Sequence, residues 1–226
     1  MPSRYSLTSP PEAVRAYFGY LNEAEFPPRY NIAPSQPVAI VRDTPRGGRE
    51  MALVRWGLIP SWVKDPGAFK MLINARAEGA AEKPSFRAAL RHKRCLVPAD
   101  GYYEWTGKVG AKRPHLIRPR AGGLMALAAL YENWLGADGS EIETMAILTT
   151  RANATIRTLH DRMPVIIAPE HFDLWLDCRS GTATHILDLL APAPDDLLDV
   201  IEVSRKLNDV RNEGPEVQEP ARPSLL

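Results

Sequence analysis

His160, Asp161 and Arg162 follow one another in the chain, and together they could exchange protons and hold an anion. Unpaired buried charge is costly, so these three side chains are expected to line a cleft rather than to be buried together. A solvated loop is the plainer alternative on this stretch alone. Asn74 and Arg76 are separated by one small residue, so on an extended segment both side chains point the same way. An amide and a guanidinium converging on one spot suit a sugar-phosphate, although an Asn turn beside a surface arginine fits the spacing equally well. Glu104 lies between Tyr103 and Trp105, where desolvation disfavours the ionised form and suits the carboxyl to proton transfer near neutral pH. Its alternative is an ion pair with a neighbouring arginine. Trp56 and Trp62 flank a Gly and a Pro; one indole is expected in the core, and an exposed one near Lys64 would suit base stacking.

These residues need elements to hold them. Met145 to Thr150 is apolar and β-branched, which predicts a buried strand. Thr149 to Asn153 then turns the chain into a short helix over Ala154 to Leu159, and the His160–Arg162 run sits between that helix and a second apolar stretch, Val165 to Ala168. Upstream, Pro11 to Leu21 has helical spacing with Ser9 as its cap. Phe26 to Pro37 carries four prolines, which remove amide donors, so it is expected to be stiff, extended and outside regular structure. Val38 to Arg42 and Met51 to Trp56 read as paired strands joined by a turn over Thr44 to Gly48. Pro84 to His92 reads as a helix with Arg87 and Arg91 on its basic face, and Arg94 to Ala99 as a strand in which Cys95 is a small core residue. His115 to Pro119 and Leu124 to Leu130 add strands; Phe172 to Leu176 and Thr184 to Leu190 add helices. From about residue 204 the chain is polar and Pro-bearing and is expected to lie over the surface. The sum is an α+β fold: one compact domain over residues 1–226, with a mostly antiparallel, barrel-like sheet flanked by short helices.

Composition narrows the function. A chain of 226 residues, 45% of them hydrophobic, can bury one sizeable core. No apolar run approaches the ~18 residues of a membrane span, and MPSRYSL has no signal-peptide h-region. Two cysteines without a CxxC pair fit reduced, structural thiols in the cytoplasm. Walker, GxGxxG and metal-ligand spacings do not occur, so neither cofactor nor metal is expected. The net charge of +1 conceals ten Lys or Arg against two acids from Lys83 to Arg120, and nine acids against four bases from Ile186 to Leu226. A basic middle with an acidic tail suggests a polyanion site on one face.

The blocks RYNIAPSQ, VRWGLIPSW, INARAE, RCLVPADGYYEW, LTTRAN and LHDRMPVI, in this order, resemble the SOS-response-associated peptidase family, the abasic-site processing proteins. The likeness runs from Arg4 to VSRKLNDVRNEGPE. It implies a compact α+β fold around a barrel-like sheet, a positively charged cleft, and single-stranded DNA with abasic sites as partner. It also implies a place in the DNA-damage response in the cytoplasm at the nucleoid; a monomer is expected. Family members bond covalently to the open-chain aldehyde through a cysteine that follows the initiator methionine. Carried over by motif, Asn74 would hold the sugar, Glu104 would help open its ring, and His160 would act as acid or base. Arg4, Arg76 and Arg162 would hold phosphates, Thr149 would lie among the DNA contacts, and Trp62 and Trp105 would stack on bases.

The chain departs from that pattern at its start, which reads Met1-Pro2-Ser3-Arg4 where the family has Met-Cys-Gly-Arg. A thiazolidine cannot form at position 2 without a thiol. Pro2, once freed of Met1, would expose a secondary amine able to form an iminium with an aldehyde and promote β-elimination. The alternatives are a non-covalent shield for abasic or single-stranded DNA, or a natural gene that carries the usual cysteine. General proteolysis is not expected, since no nucleophile motif surrounds any serine.

Overall fold

The structure, a computed structural model, describes residues 2–179 and 185–221. In chain order the elements are strand β1 (Tyr5–Leu7), helix α1 (Pro11–Phe18), β2 (Arg29–Ile32), β3 (Pro37–Asp43) and β4 (Arg49–Trp56). After an irregular excursion, β5 (Asn74–Arg76) runs straight into the one-turn helix α2 (Ala77–Ala80), and then come α3 (Arg87–His92), β6 (Arg94–Ala99), β7 (Gly101–Thr106) and β8 (Arg113–Pro119). The long hairpin of β9 (Met125–Leu135) and β10 (Glu141–Arg151) precedes α4 (Ala154–Arg157), β11 (Arg162–Pro164), β12 (Ile166–Ile167), α5 (Phe172–Leu176) and β13 (Leu198–Glu202).

The strands form two sheets. One has the order β13-β8-β7-β1-β2; the other runs β11-β10-β4-β3-β6-β9-β12, with β5 added beside β10. Because β10 also pairs with β9, the strands β10, β4, β3, β6 and β9 close a ring. Only the pairings of β10 with β4 and with β5 are parallel, so the α+β class with a mostly antiparallel, barrel-like sheet holds. Every residue of β6, and Met125 to Leu130 of β9, is buried. One face of these strands fills the ring while α3, α5 and the second sheet lie against them, which is why they read as continuous apolar runs.

Several expected elements shift. Helix α1 stops at Phe18, not Leu21, because Gly19 takes the left-handed conformation at φ 69° and its N–H caps Arg15 O. Leu21 is consequently exposed. Ser9 does not cap this helix; its hydroxyl and N–H, with the N–H of Thr8, are drawn to the Asp100 carboxylate. The proline-rich segment contains β2 after all, since its prolines flank the strand and leave the amides of Arg29 to Ile32 free to pair. The helix expected from Pro84 begins at Arg87, and His185–Leu190 is a 3-10 helix; Thr184 lies outside the described residues. The polar tail does more than lie over the surface. Leu207 and Val217 are fully buried with Tyr103, Leu116 and Val203 in a second core, and Asn31 donates to the carbonyls of Asp209 (3.1 Å) and Asn212 (2.9 Å).

Cys95 is a core residue, and burial pushes its thiol pKa up strongly. In a Cys178→Ser background, Cys95 is expected to resist a disulfide reagent in the native protein and to react as one thiol on unfolding. Native labelling at the rate of a free thiol would contradict this burial.

Candidate functional site

The N-terminal arm enters the site along β7. Tyr5 stands opposite Tyr102, and the Tyr103 N–H donates to Arg4 O at 3.0 Å. From the other sheet, Asn74 Nδ2 donates to the Pro2 carbonyl at 2.8 Å. Parallel pairing with β10 holds Asn74 in place, with Ile147 opposite Asn74 and Thr149 opposite Arg76. Pro2 is buried at this seam between the sheets, while Asn74 Oδ1 is buried without a partner among the described residues. The structure thus brings Pro2 and Asn74 together from two distant parts of the sequence. Met1 lies outside the described residues.

Glu104 is buried on the face of β7 that also carries Tyr102. It lies opposite His115 of β8, which in turn lies opposite Glu202 of β13. His115 Nε2 is 3.9 Å from Glu202 Oε2, and Arg113 Nη1 is 3.5 Å from the same oxygen. Burial pushes the His115 pKa down, with Glu202 opposing it. A histidine whose pKa is depressed on folding binds fewer protons in the native state, so its contribution to stability is lost as pH falls. His115→Phe is therefore expected to lose less stability than wild type between about pH 7.5 and about pH 5.5, read from urea midpoints. Equal losses would show that His115 does not sense the change.

Ser3, Arg4, Trp105, Gly110, Lys112 and Asn208 line a cleft of about 370 Å³ that holds, among the described residues, two cations and no carboxylate. The Arg4 guanidinium lies over the Trp105 ring at 5.9 Å, and its Nη1 donates to Asn31 Oδ1 at 2.7 Å. Trp105 Nε1 donates to Asn208 Oδ1 at 2.7 Å, and Asn208 Nδ2 donates to Lys112 O at 3.2 Å. The indole is thus pinned at its edge with a cation against its face. Trp62, by contrast, is 58% exposed, edge-on to Phe69 at 5.9 Å. Trp56 is the core indole, donating to Ile73 O at 2.9 Å.

At the His160–Arg162 corner the structure shows what holds Arg162. Arg162 is largely buried, and its Nη1 and Nη2 meet the two oxygens of Glu78 at 2.6 and 2.8 Å. Nη2 also donates to Thr149 O at 2.5 Å. The Arg162 guanidinium is thus tied to protein oxygens, whereas the neighbouring Arg76 is exposed. Thr149 is fully buried, its hydroxyl 3.4 Å from Ala75 O, so in this structure it supports the strand pair and does not face solvent. His160 keeps a third of its side-chain surface exposed. Its Nδ1 lies 2.9 Å from the Arg162 N–H and 2.8 Å from Asp161 Oδ1. An amide N–H can only donate, so while that bond is made Nδ1 carries no proton and Nε2 does. The imidazolium form would instead donate from Nδ1 to Asp161. The Glu78 partnership was not foreseen, although the residue closes the INARAE block.

Residues 1–210 match the family described as SOS response associated peptidase (SRAP). The abasic site processing protein YoqW of Bacillus subtilis is 38% identical over 223 residues, covering 97% of this chain and 99% of the relative. The abasic site processing protein HMCES of Gallus gallus is 32% identical over 228 residues, covering 87% of this chain and 67% of the relative. A crystal structure of a Bacteroides thetaiotaomicron protein superposes with a TM-score of 0.84 at 27% identity, covering 97% of this chain and 99% of that one. With its ring of strands, its N-terminal arm at the sheet seam and its ordered blocks, the chain belongs to the SOS response associated peptidase (SRAP) family.

Proposed function

We propose that this chain processes abasic sites in single-stranded DNA as part of the DNA-damage (SOS) response, with chemistry at its own N-terminus. The observation that carries the reading is the Asn74 Nδ2 bond to the Pro2 carbonyl, which anchors the N-terminal arm whose next residues, Ser3 and Arg4, line the cationic cleft with Trp105. The printed names of the relatives, abasic site processing proteins, support the substrate. Removal of Met1 frees the Pro2 nitrogen as a secondary amine. That nitrogen adds to the C1′ aldehyde of the open-chain sugar and water leaves, giving an iminium. The iminium acidifies C2′; a base takes the C2′ proton, the C3′–O bond breaks, and the 3′-phosphate departs. Water then releases the unsaturated sugar and restores the amine. We assign these proton transfers to Glu104 and His160; Asn74 Oδ1 can accept from a sugar hydroxyl, and Arg4, Lys112, Arg76 and Arg162 would offer positive charge to phosphates.

The test begins with the N-terminal mass, to separate protein that retains Met1 from protein that has lost it. Each form is mixed with single-stranded DNA carrying one abasic site, with and without borohydride. The Met1-free form is expected to give a reduced, permanent adduct with borohydride and strand cleavage without it; the Met1-bearing form gives neither. Tight binding by both forms with neither product would overturn the lyase reading and leave a non-covalent shield.

A further inference from the structure

Helix α2 lies between two parts of the site, and its Glu78 is the only α2 side chain bonded to the His160 corner among the described residues. Glu78 follows Asn74 by four residues on a continuous β5–α2 segment, so whatever Glu78 grips is fixed relative to Asn74 and hence to the Pro2 carbonyl. What it grips is Arg162, through both oxygens. A bidentate fork fixes the guanidinium plane as well as its position. The third tie, from Nη2 to Thr149 O, secures the same group to β10. Arg162 opens β11 opposite Arg151, so an anchored side chain also steadies the main chain at the first residue of that short strand. The N–H of this same residue donates to His160 Nδ1 at 2.9 Å.

We infer that Glu78 is a positioning residue for His160: gripping Arg162 bidentately, it holds the Arg162 N–H on His160 Nδ1, keeps the proton on Nε2 and sets the imidazole in register with Asn74 and Pro2. The inference rests on the reading of His160 as an acid or base. Glu78 touches no reacting atom; it acts through Arg162. The groups facing this assembly are Asp161, which competes for Nδ1 when the ring is charged, and Arg151, which lies near the Glu78 carboxylate.

Two measurements on the full chain decide it. Long-range 15N–1H spectra of the His160 ring, taken where the imidazole is neutral, should show the Nε2–H tautomer alone in wild type and a mixture of tautomers in Glu78→Gln. The rate of borohydride-trapped adduct formation on abasic single-stranded DNA should fall about ten-fold in Glu78→Gln, with DNA binding no weaker than wild type. Glu78→Asp, which keeps the charge one methylene further back, should fall between the two, and it carries the same test if the Gln variant does not fold. Unchanged ring signals with an unchanged rate overturn the inference, as does a loss of DNA binding that matches the loss of rate. His160→Gln separates the two levels: full rate in that variant overturns the acid–base reading of His160, whereas a slow His160→Gln beside a normal Glu78→Gln overturns the role of Glu78 alone.

Discussion

Arg94→Met is expected to lower the unfolding free energy by about 3–5 kcal/mol, the largest single loss of stability among the changes considered. Arg94 is 2% exposed, and among the described residues no carboxylate is a hydrogen-bond partner of its guanidinium. Its guanidinium instead gathers the carbonyls that two helix ends leave unsatisfied. Nη1 donates to Leu90 O at 2.8 Å and Arg91 O at 3.2 Å in α3, while Nε donates to Trp175 O at 2.6 Å and Nη2 to Asp177 O at 2.5 Å at the end of α5. The guanidinium also lies over the Trp175 ring at 5.6 Å, and a cation at two helix C-termini is favoured by both dipoles. Methionine fills similar volume but abandons four acceptors, each costing about 1–3 kcal/mol when left buried, offset in part because no charge need then be buried. Lysine keeps the charge without the fork and should recover only part of the loss. Urea midpoints at constant m measure the effect. A loss below about 1 kcal/mol would mean that water entering beside Cys178 takes over the carbonyls.

Most strands are legible because their apolar runs are long and their turns carry Gly, Asp or Pro. Met145 to Thr150 and Arg94 to Ala99 are buried on both faces and announce themselves. The misreadings share a cause, which is that local composition does not report the partner. β2 is flanked by prolines, and only its pairing with β1, from Tyr5 opposite Ile32, makes it a strand. The segment after about residue 204 reads as polar, yet Leu207 and Val217 pack in one buried cluster with Tyr103 that a short-range pattern cannot show. Ring closure by β10 pairing with both β4 and β9 is likewise a matter of distant register.

The site divides along the same line. That Asn74 and Arg76 share a direction follows from a two-residue period, and that one of Trp56 and Trp62 is core follows from their surroundings. The partner of Asn74 lies 72 residues away at Pro2, and that of Arg162 lies 84 residues away at Glu78. A motif gives the type of a side chain and the fold gives its occupation. For that reason the sequence shows Arg162 as a cation, and only the structure shows the Glu78 carboxylate it is tied to.

Glu104→Gln should leave affinity for abasic single-stranded DNA within about two-fold of wild type while slowing adduct formation about 100-fold or more, as expected when a general acid–base group is removed from a proton-transfer step. The amide occupies the same volume, and Glu104 is buried between Tyr103 and Trp105 on a strand paired on both sides, so the sheet has no reason to shift. The cations offered to phosphate, Arg4, Lys112 and Arg76, lie on other segments and keep their charge. The loss should appear in the single-turnover rate at saturating protein, and the binding curve measured without borohydride should overlay that of wild type. Parallel losses of rate and affinity would make Glu104 a structural carboxylate that holds the N-terminal arm in place. An unchanged rate would leave proton transfer to His160, the other group assigned to it.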